Sequence, residues 1–367
     1  MQEVFFYFFC GCAGIQLLYW TAFWAASRKK KQTSPLGEEQ PISVVVCARN
    51  ELKNLEELLP LLYKQSHKSM EIVVVDDRSN DGSHDFLLKE EMKEKRLKIV
   101  RVDHTPEHIN GKKYALTLGI KAAGNDLLLL TDADCRPLHT EWASRFSRAF
   151  TAGIELVLGY CQYQKQPGPL NAFIRFETLL TGILYTSFAR LGFPYMGVGR
   201  NLAYRKSFFI QNKGFHGIQK TTGGDDDLLV NRWATAANTV VLTGKKVQVL
   251  SVPKQSWHAF FRQKIRHLHA GKRYKLKDKC RLGGFYITKI LFWSTFILLV
   301  SGSYKPIYIF SGCLFTCLAS AGVVHRLKKQ LPDSFQTWFF PLSDFVFVPY
   351  YVVTGTIANF IKKVKWS

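Results

Sequence analysis

Two kinds of hydrophobic pattern divide the chain. The first consists of four long runs with at most one charged residue each, at 4–26, 285–303, 306–324 and 335–361. A helix needs about 20 apolar residues to cross a bilayer. The runs therefore predict an N-terminal transmembrane anchor at 1–27 and a C-terminal membrane region at 285–367 with two to three membrane segments. We interpret the anchor as retained, because no basic segment precedes it as in a cleaved signal peptide.

The second pattern lies between these runs, where short β-branched stretches alternate with helical spacing. Strands covered on both faces are predicted at 42–48, 72–75, 97–102 and 127–130. This alternation predicts an α/β domain at 41–255 with an open, doubly wound parallel sheet. A linker at 28–40 precedes the domain and a basic interfacial segment at 256–284 follows it. The apolar run 169–194 is either a helix lying along the membrane or a buried helix of the domain.

Basic residues flank the membrane runs on one side. Four of them occupy 28–31, and eleven Lys or Arg with a single acidic residue lie between 254 and 289. Because cytoplasmic flanks are rich in Lys and Arg, we predict a multi-pass protein of a bacterial-type inner or plasma membrane with its α/β domain in the cytoplasm. The basic residues at 362–365 also favour the cytoplasm. A single crossing by 335–361 would place these basic residues on the opposite side of the membrane. Either 335–361 is therefore re-entrant or interfacial, or the preference of basic residues for the cytoplasm does not hold there.

Two charges interrupt the membrane runs. Lys289 is expected to extend its ammonium group to the membrane interface. Asp344 lies between Pro341 and Pro349, so that it either serves a function inside the membrane or sits at an interface.

Polar side chains follow three of the predicted strands, where an open α/β sheet binds its ligands. They are found at 49–51, at 76–79 and at Asp132 and Asp134. Two carboxylates spaced i, i+2 just past a buried strand can hold one divalent cation that bridges a diphosphate, although acidic turns are also common at strand ends. The sequence contains no Walker loop and no G-x-G-x-x-G motif, which argues against a P-loop ATPase and a dinucleotide dehydrogenase.

Two further clusters carry candidate chemistry. Asp225, Asp226 and Asp227 open a predicted helix, for whose capping one carboxylate would suffice. Crowding raises the proton affinity of a carboxylate, which suits a general base that acts on a hydroxyl. The second cluster, 263–267, lies in the most basic stretch of the chain. The alternative to a chemical role for this stretch is an interfacial helix that lies on anionic lipid.

The charge balance of the chain indicates which classes of molecule to expect as its partners. The chain has 367 residues with 50 Lys and Arg against 28 Asp and Glu, a net charge of +22. This favours phosphate-bearing molecules and anionic membrane lipids as partners. No nucleic acid is expected, since the basic residues cluster beside the membrane runs and do not interleave with aromatic residues. The eight cysteines show no zinc spacing, and the length excludes a small disulfide-stapled secreted domain.

Seven motifs follow one another at 41–51, 73–82, 111–116, 131–134, 197–203, 224–229 and 263–266. In this order they resemble the motifs of the membrane-bound branch of the family 2 glycosyltransferases. The resemblance covers residues 41 to about 270. It implies a GT-A fold, an inverting transfer from a nucleotide-diphosphate sugar (a UDP-sugar being favoured), a Mg or Mn ion, and a lipid-linked or polysaccharide acceptor.

The resemblance also implies residue roles. On the donor side, three residues would line the nucleoside pocket, namely Asn50, Glu51 and Asp77. Lys112 would face the diphosphate. Asp132 and Asp134 would hold the donor and the metal ion. Asp226 would deprotonate the acceptor hydroxyl, with Asp225 as the alternative because the register within the three aspartates is ambiguous. On the acceptor and diphosphate side would lie Gly199, Asn201, Gln263, Arg266 and His267.

One departure from the family pattern bears on function. His267 stands where processive members of the family carry Trp, which puts processive synthesis in question, although Trp257 is nearby. The leading hypothesis is therefore transfer of one sugar to a lipid-linked or membrane-associated acceptor. The alternatives are a processive polysaccharide synthase that extrudes its product, and a non-catalytic basic membrane scaffold.

Overall fold

The computed structural model describes residues 1–28 and 37–361. The basic residues at 29–31, most of the predicted linker and the basic residues at 362–365 lie outside the described residues.

Four parallel strands form one half of the larger sheet, and all four are at predicted positions. They are β1 (Ile42–Ala48), β2 (Met70–Asp77), β3 (Leu97–Val102) and β4 (Leu127–Asp132), in the spatial order β3-β2-β1-β4. The side chains of Val44 and Val46 are fully buried and that of Val45 nearly so. Helices cover both faces of this half, which explains the uninterrupted apolar runs.

The other half of the larger sheet contains its antiparallel strand, as a mostly parallel sheet of the GT-A type allows. It contains β8 (Leu202–Arg205), β6 (Leu156–Leu158) and β9 (Thr239–Val241), and β8 is antiparallel to both β4 and β6. A smaller sheet pairs β5 (Cys135–Pro137), β10 (Val249–Ser251) and β7 (Cys161–Tyr163). The fold is thus α/β with a mostly parallel sheet.

Helices pack on both faces of the larger sheet. They are α2 (Leu52–Tyr63), α3 (Ser83–Glu91), α4 (Gly111–Ala122), α5 (Trp142–Arg148), α6 (Pro169–Arg190), α7 (Lys206–Gln211) and α8 (Asp227–Trp233). The next helix, α9 (Trp257–Gly271), packs against the C-terminal helix of the described residues. A glycine brings α4 directly onto the sheet, since a Cβ at Gly119 would lie 2.6 Å from Val75 and 2.9 Å from Val45. Of the two interpretations of 169–194, the buried helix is the one observed, because nearly all of α6 is buried.

Four helices of the described residues are long and apolar enough to cross a membrane. They are α1 (Gln2–Arg28), α10 (Leu276–Ser301), α11 (Pro306–Gln330) and a helical stretch at 337–360 that contains α12 (Phe340–Phe360). α10 begins nine residues before the predicted run because its charged first turns hold the α/β domain: Asp278 accepts hydrogen bonds from Asn231 (3.0 Å) and Arg281 (2.9 Å). α6 packs its aromatic residues between the α/β domain and these helices.

The contacts of α12 join it to the α/β domain near both of its ends. In the loop before it, Asp333 accepts a hydrogen bond from Tyr160 of the α/β domain (2.6 Å). Farther along, Tyr350 stacks on Phe260 of α9 with ring centroids 5.8 Å apart. Near its end, the Asn359 carbonyl accepts a hydrogen bond from Lys272, directly after α9 (2.7 Å). The second half of α12 therefore runs alongside α9.

The two charges of the membrane runs form one buried group. Lys289 is 3% exposed and pairs with the carboxylate of Asp344, which also accepts a hydrogen bond from Trp293 Nε1 (3.0 Å). The ammonium of Lys289 therefore does not extend away from the protein, because it has a counter-ion on α12. Asp344 is likewise buried and paired.

Candidate functional site

A cavity of about 410 Å³ lies where β4 ends against α6, α9, α10 and α12. It brings together eight of the residues predicted from the motifs. They are Lys112, Asp132, Asp134, Asp225, Asp226, Gln263, Arg266 and His267.

A lysine joins two of the acidic clusters. Lys112 Nζ lies 3.1 Å from Asp132 Oδ1 and 3.2 Å from Asp225 Oδ2. Burial alone would lower the pKa of Lys112, but these carboxylates raise it well above its usual range. Burial would likewise raise the pKa of Asp225, yet Lys112 and Lys113 lower it. Asp225 is therefore held as an ionised partner of lysine.

Asp134 stands beside a second carboxylate at the cavity wall. Its pKa is raised by burial and then by the charge of Asp132, an effect that Arg200 opposes. Ser251 Oγ donates a hydrogen bond to Asp134 Oδ2 at 3.4 Å. A cation between the two carboxylates would relieve their repulsion. Within 1–28 and 37–361, no group of three or more His, Cys, Asp or Glu side chains is arranged so that it could hold a metal ion.

Asp226 is held in place by two backbone amides. Its Oδ2 accepts a hydrogen bond from Gly199 N–H and its Oδ1 from Asp227 N–H, both at 2.7 Å. A Cβ at Gly199 would lie 3.3 Å from Asp226 Oδ2, so the glycine allows this close approach. Burial and the charge of Asp225 raise the pKa of Asp226. Asp226 is partly exposed, whereas its two acidic neighbours are each 7% exposed.

Asp227 is occupied by a tyrosine. Its carboxylate accepts a hydrogen bond from Tyr274 at 2.8 Å. Burial and the charge of Asp226 raise the pKa of Asp227 to about 7. All three aspartates line the cavity, and of them one is paired with lysine, one with tyrosine, and one with two backbone amides.

α9 forms one side of the cavity. Gln263 Nε2 donates a hydrogen bond to Tyr163 Oη at 3.3 Å. Lys264 pairs with Glu177 of α6, and both side chains line the cavity. The stem of Arg266 lies over the turn before the aspartates, with its Cγ 3.8 Å from where a Cβ at Gly223 would be.

The three residues predicted for the nucleoside pocket are not among those that line this cavity; they lie where β1 and β2 end. Asn50 ties the two strand ends together, since its N–H donates to Ser79 Oγ and its Oδ1 accepts from Asn80 N–H, both at 2.9 Å. Asp77 is held by Arg78 Nε at 2.8 Å. The pKa of Glu51 is raised by burial, and then by the charge of Asp134, so Glu51 lies on the cavity's side of this edge.

Asn201 does not present its side chain to the cavity, which corrects its predicted place on the acceptor side. It is fully buried, donates to the carbonyls of Tyr160 (2.8 Å) and Val247 (3.0 Å), and accepts from Trp142 Nε1 (3.0 Å). These three hydrogen bonds join Asn201 to three separate segments of the chain, and they thereby hold in place the turn that carries Gly199.

Two cavity residues were missed from the sequence. Arg200 stacks on Tyr163, with its guanidinium carbon 4.5 Å from the ring centroid, and its Nη1 is buried without a partner in the described part of the chain. Arg200 belongs to the motif at 197–203, and its position in this motif could have identified it as a residue of the site. Glu177 was missed because it is one acid within an apolar run.

Comparison with known families identifies the motifs. The model described as "Glycosyl transferase family 2" matches residues 43–210, and that described as "Glycosyl transferase family group 2" matches residues 128–325.

Two curated relatives are similar over part of the chain. A 4,4'-diaponeurosporenoate glycosyltransferase of Staphylococcus haemolyticus is 29% identical over 182 residues, which are 48% of this chain and 47% of that protein. The glycosyltransferase GlyG of Streptococcus pneumoniae is 27% identical over 134 residues, 36% of this chain and 43% of that protein. The matches therefore span less than half the length of these relatives.

One solved structure is similar along the whole chain. It is the mannosyltransferase PcManGT from Pyrobaculum calidifontis in complex with GDP-Man and Mn²⁺, with a TM-score of 0.64, 18% identity, and 99% of both chains covered. This likeness shows the fold, which is GT-A.

Proposed function

The chain belongs to the family 2 glycosyltransferases, and from that premise we propose that it moves one sugar, with inversion, to a hydroxyl of a lipid-linked or membrane-associated acceptor. Glycosyltransferase activity with a nucleotide-sugar donor follows from the family and the curated relatives. The observation that supports the proposal best is one cavity with Asp132, Asp134 and Lys112 at one end and Asp226 beside them.

The donor diphosphate is proposed to lie against Lys112 and Arg200. Lys112 is charged, and the buried Nη1 of Arg200 is a donor that a phosphate oxygen would satisfy. Asn50, Glu51 and Asp77 would lie toward the nucleoside, and Gln263, Arg266 and His267 over the diphosphate and acceptor. A UDP-sugar remains the proposed donor, and because PcManGT was solved with GDP-Man, the test includes both bases.

A divalent ion fits the carboxylates of the site. Asp132 and Asp134 offer the hard oxygen ligands that Mg and Mn prefer. Burial, and after it the charge of Asp132, raise the pKa of Asp134, and a cation between the two carboxylates would offset the second of these effects. We propose that these two residues hold the ion. When bound, it would neutralise charge on the departing nucleoside diphosphate.

Asp226, and not Asp225, is the proposed general base. Asp225 is ion-paired with Lys112 and its pKa is lowered, so it is a poor proton acceptor. Asp226 has a raised pKa and faces the cavity. The acceptor O–H proton would pass to Asp226 while the oxygen bonds to the anomeric carbon and the bond from that carbon to the diphosphate breaks.

The membrane arrangement is part of the proposal. We propose that α1, α10 and α11 cross the membrane, with the α/β domain in the cytoplasm, and that α12 stays at the cytoplasmic side, because its second half runs alongside α9. This arrangement keeps the basic residues at 362–365 in the cytoplasm. The basic residues between 254 and 289 would contact anionic lipid.

Donor turnover by the purified protein tests the reaction. UDP- and GDP-sugars are supplied with Mg or Mn and a membrane lipid extract, and released nucleoside diphosphate is measured. We expect metal-dependent release from one donor, lost in Asp134→Asn and kept in a variant of the exposed residue Lys165, Lys165→Gln. Release that is equally fast in Asp134→Asn would contradict the proposed donor site.

A further inference from the structure

The cavity continues past the carboxylates into an apolar chamber. Its far side is formed by Tyr286 of α10 and by Phe347, Tyr350 and Tyr351 of α12, which we call the aromatic wall. The rings of Tyr286 and Tyr351 stack with centroids 4.1 Å apart, and Phe347 lies 5.5 Å from Tyr351. Aromatic side chains of this kind bind apolar groups while their hydroxyls can contact a polar head.

Two lysines that line the cavity are already paired inside the protein. Lys264 pairs with Glu177, and Lys112 with Asp132 and Asp225. An anionic head that reached Asp226 would meet several carboxylates at low dielectric. A neutral hydroxyl avoids this repulsion and can give its proton to Asp226.

One helix separates the chamber from a large apolar surface. The outer face of α12 exposes Val346, Val352, Val353, Ile357 and Phe360, each between 40% and 82% exposed. An exposed apolar face of this kind marks a surface for a membrane or for another protein. In the membrane arrangement proposed above, this face meets the lipid, and the chamber lies directly behind it.

We propose that this chamber is the acceptor site, and that the acceptor is a membrane lipid with an uncharged hydroxyl head on an apolar body. The body packs on the aromatic wall and the hydroxyl points toward Asp226. This inference rests on the proposed function, since it takes Asp226 as the base. In the transfer, the lipid O–H bond breaks, its proton goes to Asp226, the new oxygen–carbon bond forms at the sugar, and nucleoside diphosphate leaves.

Gly283 provides a way to fill the chamber without disturbing its walls. It lines the cavity within α10, and a Cβ there would meet only Ile287 Cδ1, at 3.9 Å. Gly283→Phe should therefore block the lipid. The matched control is Gly322→Phe, because Gly322 is exposed on α11 and has nothing within 4 Å of its Cβ position.

Photo-labelling of the full chain in nanodiscs tests lipid binding without requiring turnover. The probe is hexadecanol with a mid-chain diazirine, and hexadecyl phosphate with the same diazirine is the comparison. In the wild type, we expect the alcohol to label peptides of α6, α10 and α12 that line the chamber. Gly283→Phe should weaken this labelling roughly tenfold or more, because an aromatic ring overfills the space. Gly322→Phe should stay within about twofold of the wild type.

Two results would overturn the inference: equal chamber labelling in the wild type and Gly283→Phe, or stronger labelling by the phosphate than by the alcohol. If Gly283→Phe does not fold, Tyr351→Ala against the outward-facing control Val352→Ala gives the same comparison. Nucleotide-sugar binding is measured on the same samples. Its absence in the wild type would contradict the proposed function alone, whereas the labelling decides on the chamber.

Discussion

Replacing Asp226 by asparagine separates catalysis from folding. The amide has the size of the carboxylate, and its oxygen can still accept one of the two 2.7 Å hydrogen bonds from Gly199 and Asp227. The lost bond costs about 1 kcal/mol. The raised pKa of Asp226 means that its charge is unfavourable in the folded state, so removing the charge offsets this cost. We therefore expect the melting temperature of Asp226→Asn to stay near that of the wild type.

In contrast to the melting temperature, the catalytic rate of Asp226→Asn should fall strongly. Loss of a general base lowers kcat by about 10²–10⁴, or about 3–5 kcal/mol in the barrier. The assay is single-turnover transfer with saturating donor, compared among Asp225→Asn, Asp226→Asn and Asp227→Asn. Asp225→Asn should mainly weaken donor binding, because Lys112 loses one of the two carboxylates that position it. Asp227→Asn should stay within about tenfold, since its carboxylate bonds to Tyr274.

The pH profile gives the same test an independent readout. Activity needs ionised Asp226, so it should fall as pH drops through the raised pKa of this group, above the usual value of 3.8. Asp225→Asn removes the neighbouring negative charge, which should move this acid limb to lower pH. A full loss of kcat in Asp225→Asn with wild-type kcat in Asp226→Asn would refute the assignment and make Asp225 the base.

Three further predictions concern other parts of the molecule. Arg200→Lys should raise the KM for the nucleotide sugar about tenfold at nearly constant melting temperature, since one amine cannot replace the guanidinium; an unchanged KM would contradict its contact with the diphosphate. Asn201→Ala should destabilise the protein by about 1–3 kcal/mol in thermal unfolding, because it leaves buried polar partners unpaired. Lys289→Met should destabilise the membrane helices by about 3–5 kcal/mol, and adding Asp344→Leu should restore most of this loss; destabilisation that persists in the double variant would show a role other than pairing.

The sequence predicted the first half of the sheet well for a physical reason. Strands buried on both faces need continuous apolar runs, and β1 to β4 have them. The carboxyl ends of parallel strands converge, which is why Asp132 and Asp134 could be placed at the site. The antiparallel β8 was missed because a strand of four residues carries too little periodicity.

Two features of the structure could not be predicted because they depend on tertiary contacts. The length and hydropathy of α12 do not indicate which other helices it packs against. Its position follows from contacts such as Lys272 with Asn359. Similarly, the motif at 197–203 contains both Arg200 and Asn201, but only the fold determines that the arginine faces the cavity and the asparagine is buried.

The chemical nature of the product decides whether the protein transfers one sugar to a membrane lipid. Membranes containing the protein are incubated with a radiolabelled nucleotide sugar, and the label is separated by organic extraction and analysed by mass spectrometry. We expect a solvent-extractable lipid that carries one sugar, absent from membranes with Asp226→Asn. A ladder of water-soluble oligosaccharides formed without a lipid acceptor would contradict it and identify a processive synthase.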